Sequence, residues 1–467
     1  MTLRPLPALL VAFFVASLAT FAAGEPEPRA TSADEVAATP QQPQKAASSA
    51  PAAARRADRK KAQILLVGID GLDPELVRRW TKDGSMPNLA RLIDAGTMAE
   101  IDCVVGTSSP VVWTTVATGV PPTLHGITGF KIGDDPVNSS HRTFPAFWKI
   151  LPDRGIDLAT LGWMVSWPSE DDTGIMVPDR AWLGRFHEDV RPKGVVEPLH
   201  HVPHVRRNEI LERFTTFPFD PKYAKNLSED DPRYSVHYLI QHRLLKIFRR
   251  DGIYAGVARE IARENDLDVL AVYFQGPDYV SHGFWQWFEP EPFQKKDWNI
   301  PQEQIDALEN VIPAYYRHVD DIVGELLPLV DENALVILLS DHGFQPAPAW
   351  RNSKDYSIEA RFLSGNHRKK ATLVLSGPQV AKGAPANGRV THFDVLPTLL
   401  YALGLPQARD HRGRPLEELF TEDYRATRNE QTIETYVTTD DATAKPTVRS
   451  EHDGEIIEEL RSLGYVQ

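Results

Sequence analysis

The chain has one cysteine in 467 residues, Cys103, so no intrachain disulfide holds the fold. A lone thiol with no partner set around it reads as a small buried hydrophobe rather than a nucleophile or metal ligand. Basic residues are in deficit, 51 Lys and Arg against 64 Asp and Glu, a formal charge of −13. That balance argues against a broad surface for nucleic acid or anionic lipid. No internal period of about 20–50 residues marks a solenoid or propeller. Long apolar runs are missing too, apart from residues 6–23 at the N-terminus.

That run follows Arg4 and ends in Ala22, Ala23 and Gly24. Positive charge, an apolar stretch and small residues read as an export signal over residues 1–24, or as a retained anchor, since the run is just long enough to cross a bilayer. The expected location is periplasmic or secreted, or membrane-anchored by the uncleaved segment. Residues 25–62 are rich in Ala, Pro, Ser and Gln and end in a basic cluster, Arg55 to Lys61. They hold too little apolar surface for a core and read as a disordered linker.

From Gln63 the pattern changes. Hydrophobic residues make up 42% of the chain, enough at this length for a large core. Apolar runs at 64–69, 98–104, 158–161, 269–274, 335–339 and 371–375 read as strands. Unbroken runs of this kind suit strands covered on both faces. Helical patterns at 86–95, 113–118, 146–151, 254–264, 301–326 and 395–403 separate them, and Asp73 with Pro74 marks a further helix start. This alternation predicts an α/β three-layer sandwich with a mostly parallel central sheet over 63–420. Residues 165–235 and 284–300 fit the alternation poorly and read as excursions roofing the site. Their aromatics, Trp285, Trp287 and Phe288, are either lid core or a stacking surface for a substrate ring. Residues 421–467 read as an extension docking on the domain, with a short helix at 455–461 and Tyr465 after it.

Chemistry-bearing residues collect just past the strands. Asp70 ends the first run. Asp341 and His342 end the run at 335–339, where burial of both groups would be costly without compensation. Asp278 and His282 stand four apart after the run at 269–274, on one helix face, a spacing that can hold a divalent ion. His367 precedes the last strand, and His392 competes with it on pattern alone. His200, His201 and His204 cluster in the first excursion and read as surface or pocket residues. Ser109 stands at a helix start marked by Pro110, where an anion is favoured, with Thr107 and Ser108 as nearest rivals. This is close to the inventory of a two-metal hydrolase with a serine nucleophile. Mixed Asp and His ligation favours Zn²⁺ over Mg²⁺ or Ca²⁺, with Mn²⁺ able to substitute.

The blocks Leu65-Leu-Val-Gly-Ile-Asp-Gly71, Met86-Pro-Asn-Leu89, Ser109-Pro-Val-Val-Trp-Thr-Thr-Val-Ala-Thr-Gly119, Pro122-Thr-Leu-His-Gly-Ile127, Gly276-Pro-Asp-Tyr-Val-Ser-His282, Ser340-Asp-His-Gly343, Gly365-Asn-His-Arg368 and Asp394-Val-Leu-Pro-Thr-Leu399 occur in this order. Together they resemble the alkaline phosphatase superfamily, in its type I phosphodiesterase and nucleotide pyrophosphatase branch. The resemblance implies that Asp70, Asp341, His342 and the Ser109 oxygen hold one zinc, and that Asp278, His282 and His367 hold the other. The choice of His367 over His392 rests on it. It also implies hydrolysis of a phosphate ester, a diester before a monoester, through a covalent phosphoserine. His125 reads as structural.

Two departures stand out. Nucleotide-hydrolysing members carry a threonine nucleophile and an asparagine three residues on, where this chain has Ser109 and Val112. The Cys/Ser-x-Pro-x-Arg block of sulfatases has no counterpart at Cys103-Val-Val-Gly106. Monoester, phosphonate or sulfate ester hydrolysis, or transfer of a phospho-group, are the alternatives on the same site, and a non-catalytic binding protein is the remaining one. The expected substrate is a small-molecule or envelope-derived phosphate ester. No nucleic-acid polymer is expected, and membrane contact only through a retained N-terminal segment.

Overall fold

In the computed structural model, residues 60–170, 174–181, scattered positions from 214 to 231, 233–348, 362–429, 431–439, 446–450, 452–462 and 465–466 are described. The export segment 1–24, nearly all of the linker, and His200, His201 and His204 lie outside the described residues. Among the described residues no helix is long and apolar enough to cross a membrane.

The elements that position the site run β1 (Ala62–Ile69), α1 (Pro74–Lys82), α2 (Pro87–Ala95), β2 (Gly96–Asp102), α3 (Ser109–Thr118), β3 (Leu158–Leu161), β4 (Ile175–Val177) and α4 (Leu245–Glu264). Then come β5 (Val269–Phe274), α5 (Gly276–Phe288), α6 (Val311–Leu326), β6 (Val330–Leu339), β7 (Gly343–Pro346), β8 (Gly365–Arg368), β9 (Lys370–Ser376), β10 (Val390–Thr391), α7 (Val395–Ala402) and α8 (Asp453–Ser462). Eight of the strands form one sheet in the order β10-β2-β9-β6-β1-β5-β3-β4. All of its neighbours pair in parallel except where β9 meets β2 and β6. The reversed strand has a local cause. The β7–β8 hairpin stands beyond the C-terminal end of the sheet, so the chain enters β9 from that end and runs down it.

Successive side chains of a strand point to opposite faces. Leu65, Val67 and Ile69 of β1 enter one buried cluster, with α1, α2, α4, α5 and α6, while Ile64 and Leu66 enter the other, with α3 and α7. The sheet is therefore covered on both faces, as its unbroken apolar runs require. Each fully buried Leu, Ile or Val contributes about 1.5–3 kcal/mol.

The single helix predicted over 301–326 is two, Gln302–Leu308 and α6. Pro313 explains the break. A proline ring clashes with the carbonyl four residues back and lacks an N–H, so it fits only in a first helical turn. The break at 309–310 puts it in the first turn of α6.

Helix α5 starts with amides that need acceptors. Asp251 of α4 supplies them, accepting from the Gln275 amide at 3.2 Å with Oδ1, and from the Gly276 amide and the Tyr315 hydroxyl, both at 3.0 Å, with Oδ2. Burial pushes the Asp251 carboxyl up from 3.8 to about 6, against the pull of those amides and Arg250. Replacing it by Ala is expected to cost about 2–3 kcal/mol, read as a lowered melting temperature, because two buried amides lose their acceptor. A folded-state value raised above the unfolded one means a contribution present at acid pH and lost as pH rises through about 6. Asp251→Asn is expected to remove that slope from the stability–pH curve.

Candidate active site

Parallel pairing delivers the first two carboxylates. Gly68 pairs with Leu339, so Asp70 and Asp341 stand side by side, each two residues further on. On the other flank of β1, Ile69 pairs with Phe274, and the chain turns into α5. The Asp278 amide donates to the Asp70 carbonyl at 3.1 Å, fixing the start of α5 against the end of β1. One helical turn later the same face brings His282. The hairpin pairs His367 with Phe344, two residues past His342, and folds the His367 ring onto that of His342 at 3.5 Å between centroids. Ser109 is the first residue of α3.

These seven side chains converge. His342 Nε2 lies 3.4 Å from Asp70 Oδ1, 3.2 Å from Asp341 Oδ2 and 3.4 Å from Ser109 Oγ, and Ser109 Oγ is 3.4 Å from Asp70 Oδ1. Asp278 Oδ1 lies 3.3 Å from His282 Nε2 and 3.2 Å from His367 Nε2, and those two nitrogens are 2.8 Å apart. A 3.8 Å approach of His342 Nε2 to Asp278 Oδ1 joins the two groups.

The hydrogen bonds around the cluster show what it lacks. His282 Nδ1 faces the Gly365 carbonyl at 2.9 Å, His367 Nδ1 the Thr107 carbonyl at 2.7 Å, and His342 Nδ1 the Gly343 carbonyl at 3.2 Å. A carbonyl only accepts, so each Nδ1 carries the proton and each Nε2 presents a lone pair inward. The carboxylates behave alike. Asp70 Oδ2 accepts from Tyr273 Oη at 2.5 Å and Trp113 Nε1 at 3.1 Å, and Asp341 Oδ1 from the amides of Gly71 and His342. Their other oxygens turn inward, and Asp341 Oδ2 and Asp278 Oδ1 are buried with no hydrogen-bond donor among the described residues. Lone pairs of three imidazoles and three carboxylates thus point at one another. The hydroxyls of Ser109 and Tyr465 can each give them one proton, and cations or further protons must reconcile the rest. Donor separations near 3.3 Å are also the edge length of a tetrahedron of N and O ligands at about 2.0–2.1 Å from a zinc ion. Among the described residues two groupings meet the demand for close, convergent ligand atoms, Asp70 with Asp341 and His342, and Asp278 with His342 and His367.

Electrostatics lead to the same place. Burial, then repulsion from Asp341 and Asp278, pushes the Asp70 carboxyl well above its ordinary range despite the Tyr273 and Trp113 hydrogen bonds. Burial also pushes Asp341 up to about 7. For Asp278 burial acts the same way but is outweighed when positive charge sits on the His282 or His367 ring, which then holds it well below the carboxylate range. Burial holds His282 and His342 neutral, the ligand form of imidazole. Cys103 donates to the Asp341 carbonyl at 3.2 Å, and burial lifts its thiol to about 12, so it is a wall residue and no nucleophile.

The structure separates the residues that pattern left open. His392 is buried behind the site, its Nε2 3.1 Å from the Ser340 carbonyl, away from the cluster. His125 is buried between Thr115 Oγ1 and the Ile127 amide. Residues 284–288 are not an excursion but the last turns of α5, and Trp285 and Trp287 lie in the core. A helix continuing past His282 needed no polar outer face because α6 and the Gln302–Leu308 helix cover it. Trp285 instead stacks on Phe344, whose ring lies against those of His282, His342 and His367. Of the first excursion, 182–213 lies outside the described residues.

Sequence reasoning missed Phe344, Tyr273 and Trp113. Aromatic residues inside apolar runs carry no mark that distinguishes a carboxylate-holding donor from core.

A mostly parallel α/β sheet gathers carboxylates, imidazoles and a helix-start serine beyond its C-terminal edge, and the family model that matches the chain makes this an enzyme of phosphate-ester chemistry in the alkaline phosphatase superfamily. The family model described as type I phosphodiesterase / nucleotide pyrophosphatase matches residues 64–398, and the chain belongs to that family. A similar protein is GPI ethanolamine phosphate transferase 3 of Eremothecium gossypii, 24% identical over 165 residues, 31% of this chain and 16% of that relative's length. Among solved structures, phosphonoacetate hydrolase from Sinorhizobium meliloti 1021, in complex with phosphonoformate, aligns over 62% of this chain and 57% of its own, at 16% identity and a TM-score of 0.38.

Proposed function

We propose that the protein cleaves a phosphodiester at a two-zinc site, with Ser109 as the nucleophile. The observation that carries this reading is the convergence of three imidazole lone pairs and the inward oxygens of three carboxylates, each fixed from behind. Asp70, Asp341 and His342, with the Ser109 oxygen, would hold one ion, and Asp278, His282 and His367 the other. When bound, the ions would supply positive charge that lowers the pKa of the Ser109 hydroxyl and offsets charge on the phosphoryl oxygens.

The chain's own residues do the rest. The start of α3 points amides and the positive end of the helix at the phosphate. Ser109 Oγ attacks phosphorus, the bond to the leaving alkoxide breaks, and a phosphoseryl ester remains. Water then attacks that ester and restores the serine. Tyr273 and Trp113 keep Asp70 turned toward Ser109 throughout.

Likeness to an ethanolamine phosphate transferase favours a second reading, in which an alcohol replaces water in the last step. One experiment separates the readings. Zinc-loaded protein is assayed on bis-p-nitrophenyl phosphate, p-nitrophenyl phosphate and p-nitrophenyl sulfate, with and without added glycerol. Diester turnover above that of the other two is the expected result. Preference for monoester or sulfate would contradict it, and glyceryl p-nitrophenyl phosphate formed from the diester, with one p-nitrophenolate released, would move the assignment to transfer.

A further inference from the structure

Asp70 and Asp341 each have one oxygen held by donors from the α/β body, Tyr273 and Trp113 for Asp70 and the Gly71 and His342 amides for Asp341. Asp278 is held differently. Its Oδ2 accepts from the hydroxyl of Tyr465 at 2.7 Å, and the same hydroxyl stands 3.0 Å from His282 Nε2. Tyr465 comes from the last few residues of the chain, 187 positions from Asp278 in sequence.

The tail is anchored for this. Asp453 of α8 pairs with Arg180 at 3.0 Å, and Glu459 pairs with Lys246 at 2.9 Å and accepts from Tyr279, the residue after Asp278. The Tyr465 amide closes back on the Leu460 carbonyl at 2.9 Å. The Tyr465 ring lies flat on Phe130, 4.2 Å between centroids and 8° between planes. Ile456, Glu459 and Leu460 also wall a cavity of about 100 Å³ shared with Pro110, the neighbour of Ser109.

We infer that Tyr465 is a positioning residue of the active site: its hydroxyl fixes Asp278 so that Oδ1 faces the second ion, as Tyr273 fixes Asp70 for the first. The inference rests on the two-zinc reading above. His282 Nε2 is a lone pair, because its Nδ1 proton goes to Gly365, so either partner can accept the single Tyr465 proton. Once His282 Nε2 binds an ion, Asp278 Oδ2 is the acceptor left. The C-terminal segment is then part of the catalytic centre rather than an appendage.

Tyr465→Phe keeps the ring on Phe130 and deletes only the hydroxyl. Zinc affinity is measured by competition with a chromophoric chelator on the full chain, beside the melting temperature of the metal-free form. Removal of a hydrogen bond behind a ligand weakens binding by about 10–100-fold. The expected result is that loss at one of two ions, the other unchanged, with the metal-free melting temperature kept. Tyr465→Leu, which also loses the stacking, is expected to weaken the same ion at least as much. Wild-type affinity at both ions in Tyr465→Phe would overturn the inference, and so would equal weakening of both ions with a lowered melting temperature. A wild-type protein that binds no zinc would overturn the two-zinc reading itself, a result seen before any variant is made.

Discussion

Ser109→Ala is expected to lower turnover of a phosphodiester by about 10³–10⁵-fold while zinc binding at the Asp278 group stays unchanged. The size follows from the role. A nucleophile that forms the covalent ester cannot be replaced by better binding, and what remains is the electrostatic share of catalysis. Its neighbours do not rescue it. Thr107 gives its carbonyl to His367 Nδ1, and Ser108 precedes the helix as its cap residue, so neither hydroxyl stands where Ser109 Oγ does. Ser109 Oγ alone among the three lies 3.4 Å from both Asp70 Oδ1 and His342 Nε2. Rapid acid quench of the wild type should trap one phosphoryl group on the peptide carrying Ser109. Its absence, with full activity in Ser109→Ala, would assign the attack to water.

The second large effect is that of removing metal. Stripping the protein with a chelator is expected to abolish turnover and to lower the melting temperature, by the equivalent of about 4 kcal/mol when the free ion had stood at about 1,000 times its dissociation constant. The cause is the cluster itself. Without cations, Asp70, Asp341 and Asp278 crowd together in a fully buried space, and the first two are pushed toward protonation. Asp341 Oδ2 and Asp278 Oδ1 then have no hydrogen-bond donor among the described residues, which costs free energy that an ion recovers. Readdition of Zn²⁺ should restore both activity and melting temperature, and Mn²⁺ the activity in part. A protein indifferent to chelation would have satisfied its cluster with protons.

Much of this was legible in the sequence because burial on both faces leaves an unbroken apolar run, and such a run followed by Asp or Asp-His announces a strand end that must compensate charge. Asp70, Asp341 and His342 could be read that way, as could Asp278 and His282 from their helical spacing. His367 could not be told from His392 by pattern, because the hairpin that folds it onto His342 is a tertiary event. Tertiary position likewise decided Trp285 and Trp287, whose aromatic cluster with two prolines looked like a roof until α5 was seen to run through them. The reversal of β9 is set by the same hairpin and leaves no mark in an apolar run. Pro313 was present to be read, and its incompatibility with a helix interior predicts the break in 301–326 once the rule is applied. Hydrogen bonds from Tyr273, Trp113 and Tyr465 were invisible, since each aromatic residue could equally be core.

The central claim is that the converged lone pairs belong to two divalent ions. Its most direct test is the zinc content of the purified full chain, counted by plasma mass spectrometry for the wild type and for Asp278→Ala after dialysis against buffer with trace zinc. The account predicts two zinc ions per wild-type chain, and one in the variant, retained by Asp70, Asp341 and His342. No bound zinc in the wild type, or the same content in both proteins, would contradict it.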